Sequence, residues 1–344
     1  MTIGKIVFVG AGAIGGSVAA WLAERRGDVF IHDRPEVMDA IEAKGVSHYA
    51  GSAGPASAAT VKVGVLRSLS GLGEDDLLVF GVKNFSLDAV ASSAAAATGA
   101  RPLALSMANG LDNQDILPRH FRRCLYAVVG YNAWLDAPGV IGWQDRGPLV
   151  IGSRDNDLAG ELAAVTAEFA KGMEAEATDR LRDAAHSKLV VNLVNTITTL
   201  VGQGYREITD MASLQRIVSR TLHEGVRVVE AAGCREYHVG KMPGFSKIRA
   251  SALLPAFITR GMFRASMAKM VRSSMSQDVI LRGGTATELE SLTGYIVRLG
   301  AEHGVPTPWN SGLYRIAKEA FSKPGFTPME PAALLKAIEE GATR

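Results

Sequence analysis

The stretch Lys5–Val9, Gly10-Ala11-Gly12-Ala13-Ile14-Gly15 and Ser17–Arg26 limits this chain more than any other. A short β-branched run enters a glycine cluster and leaves it as a helix with alanines on its packing face, which spells strand, tight turn, helix. After Gly27 the apolar run Asp28–His32 closes on Asp33 and Arg34, completing a βαβ unit. In that setting Gly10 permits the turn, Gly12 lets the backbone approach a pyrophosphate, and Gly15 lets helix and strand pack closely. Ala13 and Ile14 open a helix whose N-terminus faces the phosphates. A dinucleotide is therefore expected. An acidic residue at the end of the second strand suits the ribose of NAD, and an arginine there suits the 2′-phosphate of NADP. Asp33 and Arg34 offer both, so NADP is expected and NAD stays open.

Further strands are expected at Ala59–Val65, Asp76–Gly81, Pro102–Ser106 and Arg123–Val129, with a helix over Leu87–Ala97. This alternation predicts a mostly parallel sheet. The stretch Asn132–Ser153 reads as a hairpin or a sheet-edge extension. Lys83 and Asn109-Gly110 follow strands, where an α/β sheet presents its C-terminal edge to ligands. Their plain alternatives are a solvated lysine and an ordinary turn.

From about Thr178 the texture turns helical, over Ala184–Val201, Met211–Ala232 and Glu288–His303. The expected organisation is an α/β Rossmann domain over residues 1–177 followed by an all-α domain over 178–344. Lys188, Asn192 and Asn195 form a polar stripe along an otherwise apolar helix. A buried lysine needs a reason: catalysis, or a structural network with neighbouring helices, with Glu288 a candidate countercharge. Phe257, Met262, Phe263 and Met267, within 237–272, are expected to share one helical face that is core, dimer contact or lid.

Composition narrows the function classes. With 37 Lys and Arg against 35 Asp and Glu the net charge is +2, and no basic stripe tracks a phosphate backbone, so nucleic acid is not an expected partner. The two cysteines, Cys124 and Cys234, lie far apart and suggest neither a disulfide framework nor a metal site. No apolar run reaches the roughly 18 residues of a membrane span. A cytoplasmic protein without a targeting segment is expected.

Together the motifs resemble the ketopantoate (2-dehydropantoate) reductase family, whose C-terminal domain is of the 6-phosphogluconate-dehydrogenase-like kind. They are Gly10-Ala-Gly-Ala-Ile-Gly-Gly16, Val82-Lys83, Asn109-Gly110, Lys188-Leu-Val-Val-Asn192, Arg272-Ser-Ser-Met275 with Gln277-Asp278, and Thr287-Glu288-Leu-Glu290. The resemblance covers nearly the whole chain. It implies that Lys188 is the general acid and that Glu288 helps position lysine, substrate and cofactor. It further implies that Asn109, Asn192 and Ser274 orient substrate and nicotinamide, and Asn195 joins them as a substrate candidate. The implied reaction is NADPH-dependent reduction of a 2-oxo acid, most directly 2-dehydropantoate to pantoate in pantothenate biosynthesis.

Four positions depart from the family pattern, all on the substrate side. Thr196, Thr293 and Arg206 stand where asparagines are common, and His186 stands where an aromatic residue is common. Two alternatives remain at this stage: an NAD-dependent dehydrogenase oxidising another hydroxy acid or alcohol, and a dinucleotide-binding regulatory protein without turnover.

Overall fold

All four residues of Ile6–Val9 are buried, as a strand covered on both faces requires. The computed structural model describes residues 2–268, 273–323 and 325–342. The first unit runs β1 (Ile6–Val9), α1 (Ala13–Ala23), β2 (Val29–His32), α2 (Pro35–Lys44), β3 (Val46–Ala50), β4 (Ala59–Val61), β5 (Gly64–Val65) and β6 (Leu77–Phe80). It continues with α3 (Asn84–Thr98), β7 (Leu103–Ser106), α4 (Asn113–Ile116), β8 (Cys124–Val129), β9 (Ala133–Ala137), β10 (Val140–Trp143), β11 (Leu149–Gly152), α5 (Ala159–Phe169) and β12 (Ala175–Ala177).

The main sheet has eight strands in the order β12-β11-β8-β7-β6-β1-β2-β5. The pairs from β5 to β8 are parallel, and β11 joins β8 antiparallel. With β1 between β6 and β2, the chain turns both ways from one strand, and the crevice for a ligand opens there. Both readings of 132–153 hold: β9 and β10 form an antiparallel hairpin, and β11 extends the main sheet. The hairpin belongs to a smaller sheet, β4-β3-β10-β9. The single strand expected over Ala59–Val65 divides, β4 joining the small sheet and β5 the main one. At Gly64 a Cβ would meet the Phe30 ring at 2.5 Å, so close approach to β2 ends the run. Trp21, fully buried on α1, meets the Trp143 ring edge-on at 5.6 Å and ties α1 to the small sheet.

The second unit is helical: α6 (Leu181–Asn192), α7 (Val194–Val201), α8 (Met211–Ala231), α9 (Phe245–Leu253), α10 (Ala256–Ala268), α11 (Ser274–Ser276), α12 (Tyr295–Glu302), α13 (Pro308–Phe321) and α14 (Pro331–Ala342). Two π-helical turns, Gln277–Leu281 and Glu290–Gly294, interrupt it. The units part between Ala184 and Ala185, inside α6, and not at the 177/178 boundary read from the sequence. The first turn of α6 packs on β11, since a Cβ at Gly152 would meet that of Leu181 at 2.9 Å.

Two expected helices are also broken. Ala184–Val201 divides at Leu193, and Glu288 precedes the π turn that leads into α12. On α10, Phe263 and Met267 are buried whereas Phe257 and Met262 are exposed, so these four side chains do not share one face. The helical period separates them: 259, 263 and 267 face inward, and 257 and 262 lie roughly 100–120° round the helix from the middle of that face. Among the described residues no helix is long and apolar enough to cross a membrane.

Candidate active site

The β1–α1 turn follows from its glycines. Gly10 has φ +98°, and a Cβ there would meet Val82 Cγ1 at 2.7 Å. A Cβ at Gly15 would collide with the Gly10 carbonyl oxygen. Gly12 differs: a Cβ would meet nothing nearer than the Gly81 carbonyl oxygen at 3.9 Å. The fold does not need glycine at 12; a ligand pressed against the backbone would. No side chain caps α1, and its first turn carries no acidic residue, so its leading N–H groups are left for an anion. These residues fit a dinucleotide. Gly81, not singled out from the sequence, completes the cradle, since its own Cβ would meet the Gly10 carbonyl oxygen at 2.6 Å.

At the end of β2, Asp33 turns back into this loop. Its Oδ2 accepts from the Ala11 N–H at 2.6 Å and its Oδ1 from the Arg34 N–H at 2.7 Å. The Arg34 side chain is 75% exposed, with Nη1 3.3 Å from Glu36 and Nε 3.8 Å from Asp33. An exposed ion pair of this kind is weak and easily exchanged for a phosphate.

Lys83 stands at the N-cap of α3, which no side chain caps. Beside it, the loop after β7 is clamped by buried amides. Asn84 Nδ2 donates to the Asn109 carbonyl. Asn113 Nδ2 donates to the carbonyls of Ala108 at 3.2 Å and Gly110 at 3.0 Å. Asn84 and Asn113 are 5% and 2% exposed, so these bonds are shielded from water and hold three consecutive carbonyls. Gly110, at φ +82°, supplies the left-handed turn. Neither Asn84 nor Asn113 is singled out by the sequence: the first reaches Asn109 across 25 residues, and the second bonds carbonyls three and five residues before it.

In the second unit Lys188 on α6 is 9% exposed and Glu288 is 4% exposed. Burial pulls the Lys188 pKa down from 10.5 to about 8, against the opposing pull of the Glu288 carboxylate. An ammonium with that pKa holds its proton at neutral pH and gives it up readily. Asn192 at the end of α6, and Asn195 on α7 past the break at Leu193, are both half-buried. Ser274 is half-buried at the start of α11, but Ser273 is the cap: its Oγ accepts from the Ser276 N–H at 3.1 Å. Arg272 lies outside the described residues.

The four departures from the family pattern are held in structural contacts. The fully buried hydroxyls of Thr196 and Thr293 lie 2.8 Å apart, and Thr196 Oγ1 donates to Met275 Sδ at 3.9 Å. His186 Nε2 is 3.2 Å from the Tyr295 hydroxyl, with the rings 5.8 Å apart. Arg206 donates to the Val201 and Met329 carbonyls and pairs with Glu330 at 2.6 Å, binding the end of α7 to the segment before α14.

Residues 6–156 match the family model of ketopantoate reductase PanE/ApbA, and residues 180–320 match the model of its C-terminal domain. A 2-dehydropantoate 2-reductase of Archaeoglobus fulgidus is 27% identical over 92% of this chain and 98% of its own. Another, of Halobacterium salinarum, is 29% identical over 68% of this chain and 72% of its own. Among solved structures, a PanE/ApbA family ketopantoate reductase from Ralstonia eutropha superposes with TM-score 0.71 at 26% identity, covering 99% of this chain and all of that one. D-mandelate dehydrogenase in complex with NADH and anilino(oxo)acetate gives TM-score 0.73 at 18% identity, covering 97% and 99% of the two chains, a likeness of fold.

Proposed function

Because the chain belongs to the ketopantoate reductase PanE/ApbA family, whose members are NAD(P)-dependent oxidoreductases acting on CH–OH groups, we propose that it reduces a 2-oxo acid to the 2-hydroxy acid with NADPH. 2-Dehydropantoate is the first substrate to test. The observation that carries this reading is the buried Lys188, its pKa pulled down to about 8 near Glu288. Burying an ammonium is costly, and a carbonyl becoming an alkoxide makes use of one.

A dihydronicotinamide held by the first unit would supply hydride for C2 of the substrate. Lys188 Nζ gives its proton to the substrate oxygen as the C2–O double bond becomes a single bond, and the neutral amine regains a proton from solvent. Glu288 keeps the ammonium form populated and holds its position. Asn192, Asn195 and Ser274 are the donors assigned to the substrate, and donors fixed in place lower the entropy cost of reaching the reacting geometry. On the other unit Gly10, Gly12, Ala13, Ile14 and Gly15 receive the pyrophosphate, while Lys83 and Asn109 serve the nicotinamide half.

NADPH is favoured over NADH because both Asp33 oxygens already accept backbone N–H bonds, while the Arg34 guanidinium lies exposed. Steady-state oxidation of NADPH and NADH with a panel of 2-oxo acids tests the assignment. No turnover with any of them would sink it.

A second reading keeps the reaction and changes the substrate. It is supported by the Thr196–Thr293 pair: with Thr196 donating to Met275, Thr293 must donate to Thr196, and both hydroxyl protons are spent inside the protein. The terminal hydroxyl of 2-dehydropantoate then has no donor from these two positions. The panel should therefore include 3,3-dimethyl-2-oxobutanoate, which lacks that hydroxyl. Equal kcat/KM for the two acids favours this second reading, and a preference of about tenfold or more for 2-dehydropantoate favours the first.

A further inference from the structure

Two places after Glu288, the exposed carboxylate of Glu290 is gripped by groups from outside its own turn. Tyr314 Oη, on α13, lies 2.7 and 2.8 Å from its two oxygens, one proton shared between them. Lys318, one turn further along α13, brings Nζ to 3.2 Å from Oε1 and donates to Tyr314 Oη at 2.9 Å. Arg298 of α12 places Nη1 3.6 Å from Oε2, and its Nη2 donates to the Glu290 backbone carbonyl at 3.4 Å. Each pair alone is weak in water, but all converge on one carboxylate. Gly294 leaves room for them, since a Cβ there would meet Tyr314 Cε2 at 3.0 Å, Glu290 Oε2 at 3.1 Å and Arg298 Nη1 at 3.3 Å. The helix that carries Tyr314 and Lys318 is itself fixed: buried Glu224 of α8 accepts from the Trp309 and Asn310 N–H groups at the start of α13, both at 2.9 Å.

Glu290 opens the π turn Glu290–Gly294, in which the Gly294 N–H reaches back five residues to the Leu289 carbonyl at 2.9 Å. Such a turn holds one residue more than an α-helical one and is rare unless something keeps it. On the inner side Thr293 is held by Thr196 at 2.8 Å; on the outer side the hold is Glu290. The Glu288 carbonyl accepts from the Leu292 N–H at 3.0 Å, so the backbone that carries Glu288 is set by the same turn. We propose that Glu290 is a positioning residue: tied to α12 and α13, it fixes the π turn and through it the Glu288 carboxylate on which Lys188 depends. Relaxing to α-helical register would drop one residue from the turn and swing Glu288 by roughly 100° about the axis relative to α12. Glu288 is the charge that supports the Lys188 ammonium. Two further titratable groups of these elements, His186 of α6 and Tyr295 of α12, face each other at 3.2 Å.

In the full chain carrying isotopically labelled lysine, the NMR signal of Lys188, assigned by its loss in Lys188→Met, reports its titration directly. Glu290→Ala should lower the Lys188 pKa by about 0.5 or more, since the ammonium loses part of its countercharge. Tyr314→Phe should act in the same sense, and the double variant should go no further than Glu290→Ala, because both work through one contact. Near neutral pH kcat should fall by about tenfold in Glu290→Ala and its alkaline limb should move to lower pH. Affinity for NADPH, set on the other unit, should stay within roughly twofold. The effect on rate rests on Lys188 being the general acid; the effect on its titration does not. A Lys188 titration unmoved in Glu290→Ala would overturn the proposal, as would additive effects of the two substitutions. A lowered Lys188 pKa with wild-type kcat would uphold the positioning role and remove the general-acid reading instead.

Discussion

Asp33 Oδ2 accepts the Ala11 N–H at 2.6 Å, so the residue that marks the ribose position is also a strut of the glycine turn. Arg34 has no such duty. Asp33→Ala should therefore raise the Michaelis constants of NADPH and NADH together, by loosening the turn that receives the pyrophosphate they share. Arg34→Ala should raise that of NADPH alone, by about tenfold for one lost charged contact with phosphate. Equal effects of Arg34→Ala on the two cofactors, measured by steady-state kinetics, would withdraw the NADPH preference.

The glycines of the same turn separate folding from binding. Gly12→Val should leave a folded chain that no longer binds cofactor, because its Cβ meets no protein atom closer than 3.9 Å. Gly15→Ala should reduce stability, because its Cβ collides with the Gly10 carbonyl. Thermal unfolding and calorimetric titration with NADPH check the pair, and a cofactor affinity unchanged in Gly12→Val would remove the pyrophosphate from this position.

Asn84 and Asn113 should behave as positioning residues. Asn84→Ala frees the Asn109 carbonyl, so kcat should fall by about tenfold while NADPH affinity, set mainly at the glycine turn, stays within roughly twofold. Asn84→Asp, which keeps the shape and loses the donor, should resemble it. A purely structural role would instead lower the melting temperature and the concentration of active enzyme without changing kcat per active site.

These amides show where the sequence stops being legible. The βαβ unit could be read because strand, glycines and helix are contiguous and each residue's reason is local. The polar stripe Lys188–Asn192 could be read because helical spacing alone puts it on one face. The clamp on Asn109 could not, since Asn84 meets the Asn109 carbonyl only after β6 and β7 have paired, whereas Asn113 bonds carbonyls of its own loop. The split of Ala59–Val65 between two sheets depends on the Phe30 ring lying under Gly64, a contact with no local signature. The outward turn of Phe257 and Met262 was hidden for another reason: an apolar helix looks the same whether its second face meets its own core or another surface.

The last prediction separates a lysine kept for chemistry from one kept for structure. If Lys188 is the general acid, Lys188→Met should lower kcat by about 10²-fold or more with cofactor affinity nearly unchanged. Lys188→Arg should not rescue, because guanidinium holds its proton too firmly. The wild-type rate should fall as pH rises through about 8, and Glu288→Gln should move that limb to lower pH by removing the charge that sustains the ammonium. Stability should run the other way. With the Lys188 pKa depressed below 10.5 in the folded state, the unfolded chain holds the proton more tightly between about 8 and 10.5, and the wild type gains stability as pH climbs through that window. Lys188→Met alone would strand a buried Glu288 carboxylate, so the clean comparison is Lys188→Met with Glu288→Gln. That double variant should be inactive, more stable than wild type at neutral pH by about 1–3 kcal/mol, and without the gain at alkaline pH. A double variant that is inactive and also much less stable would make the pair a structural element, and wild-type turnover in Lys188→Met would end the proposed mechanism.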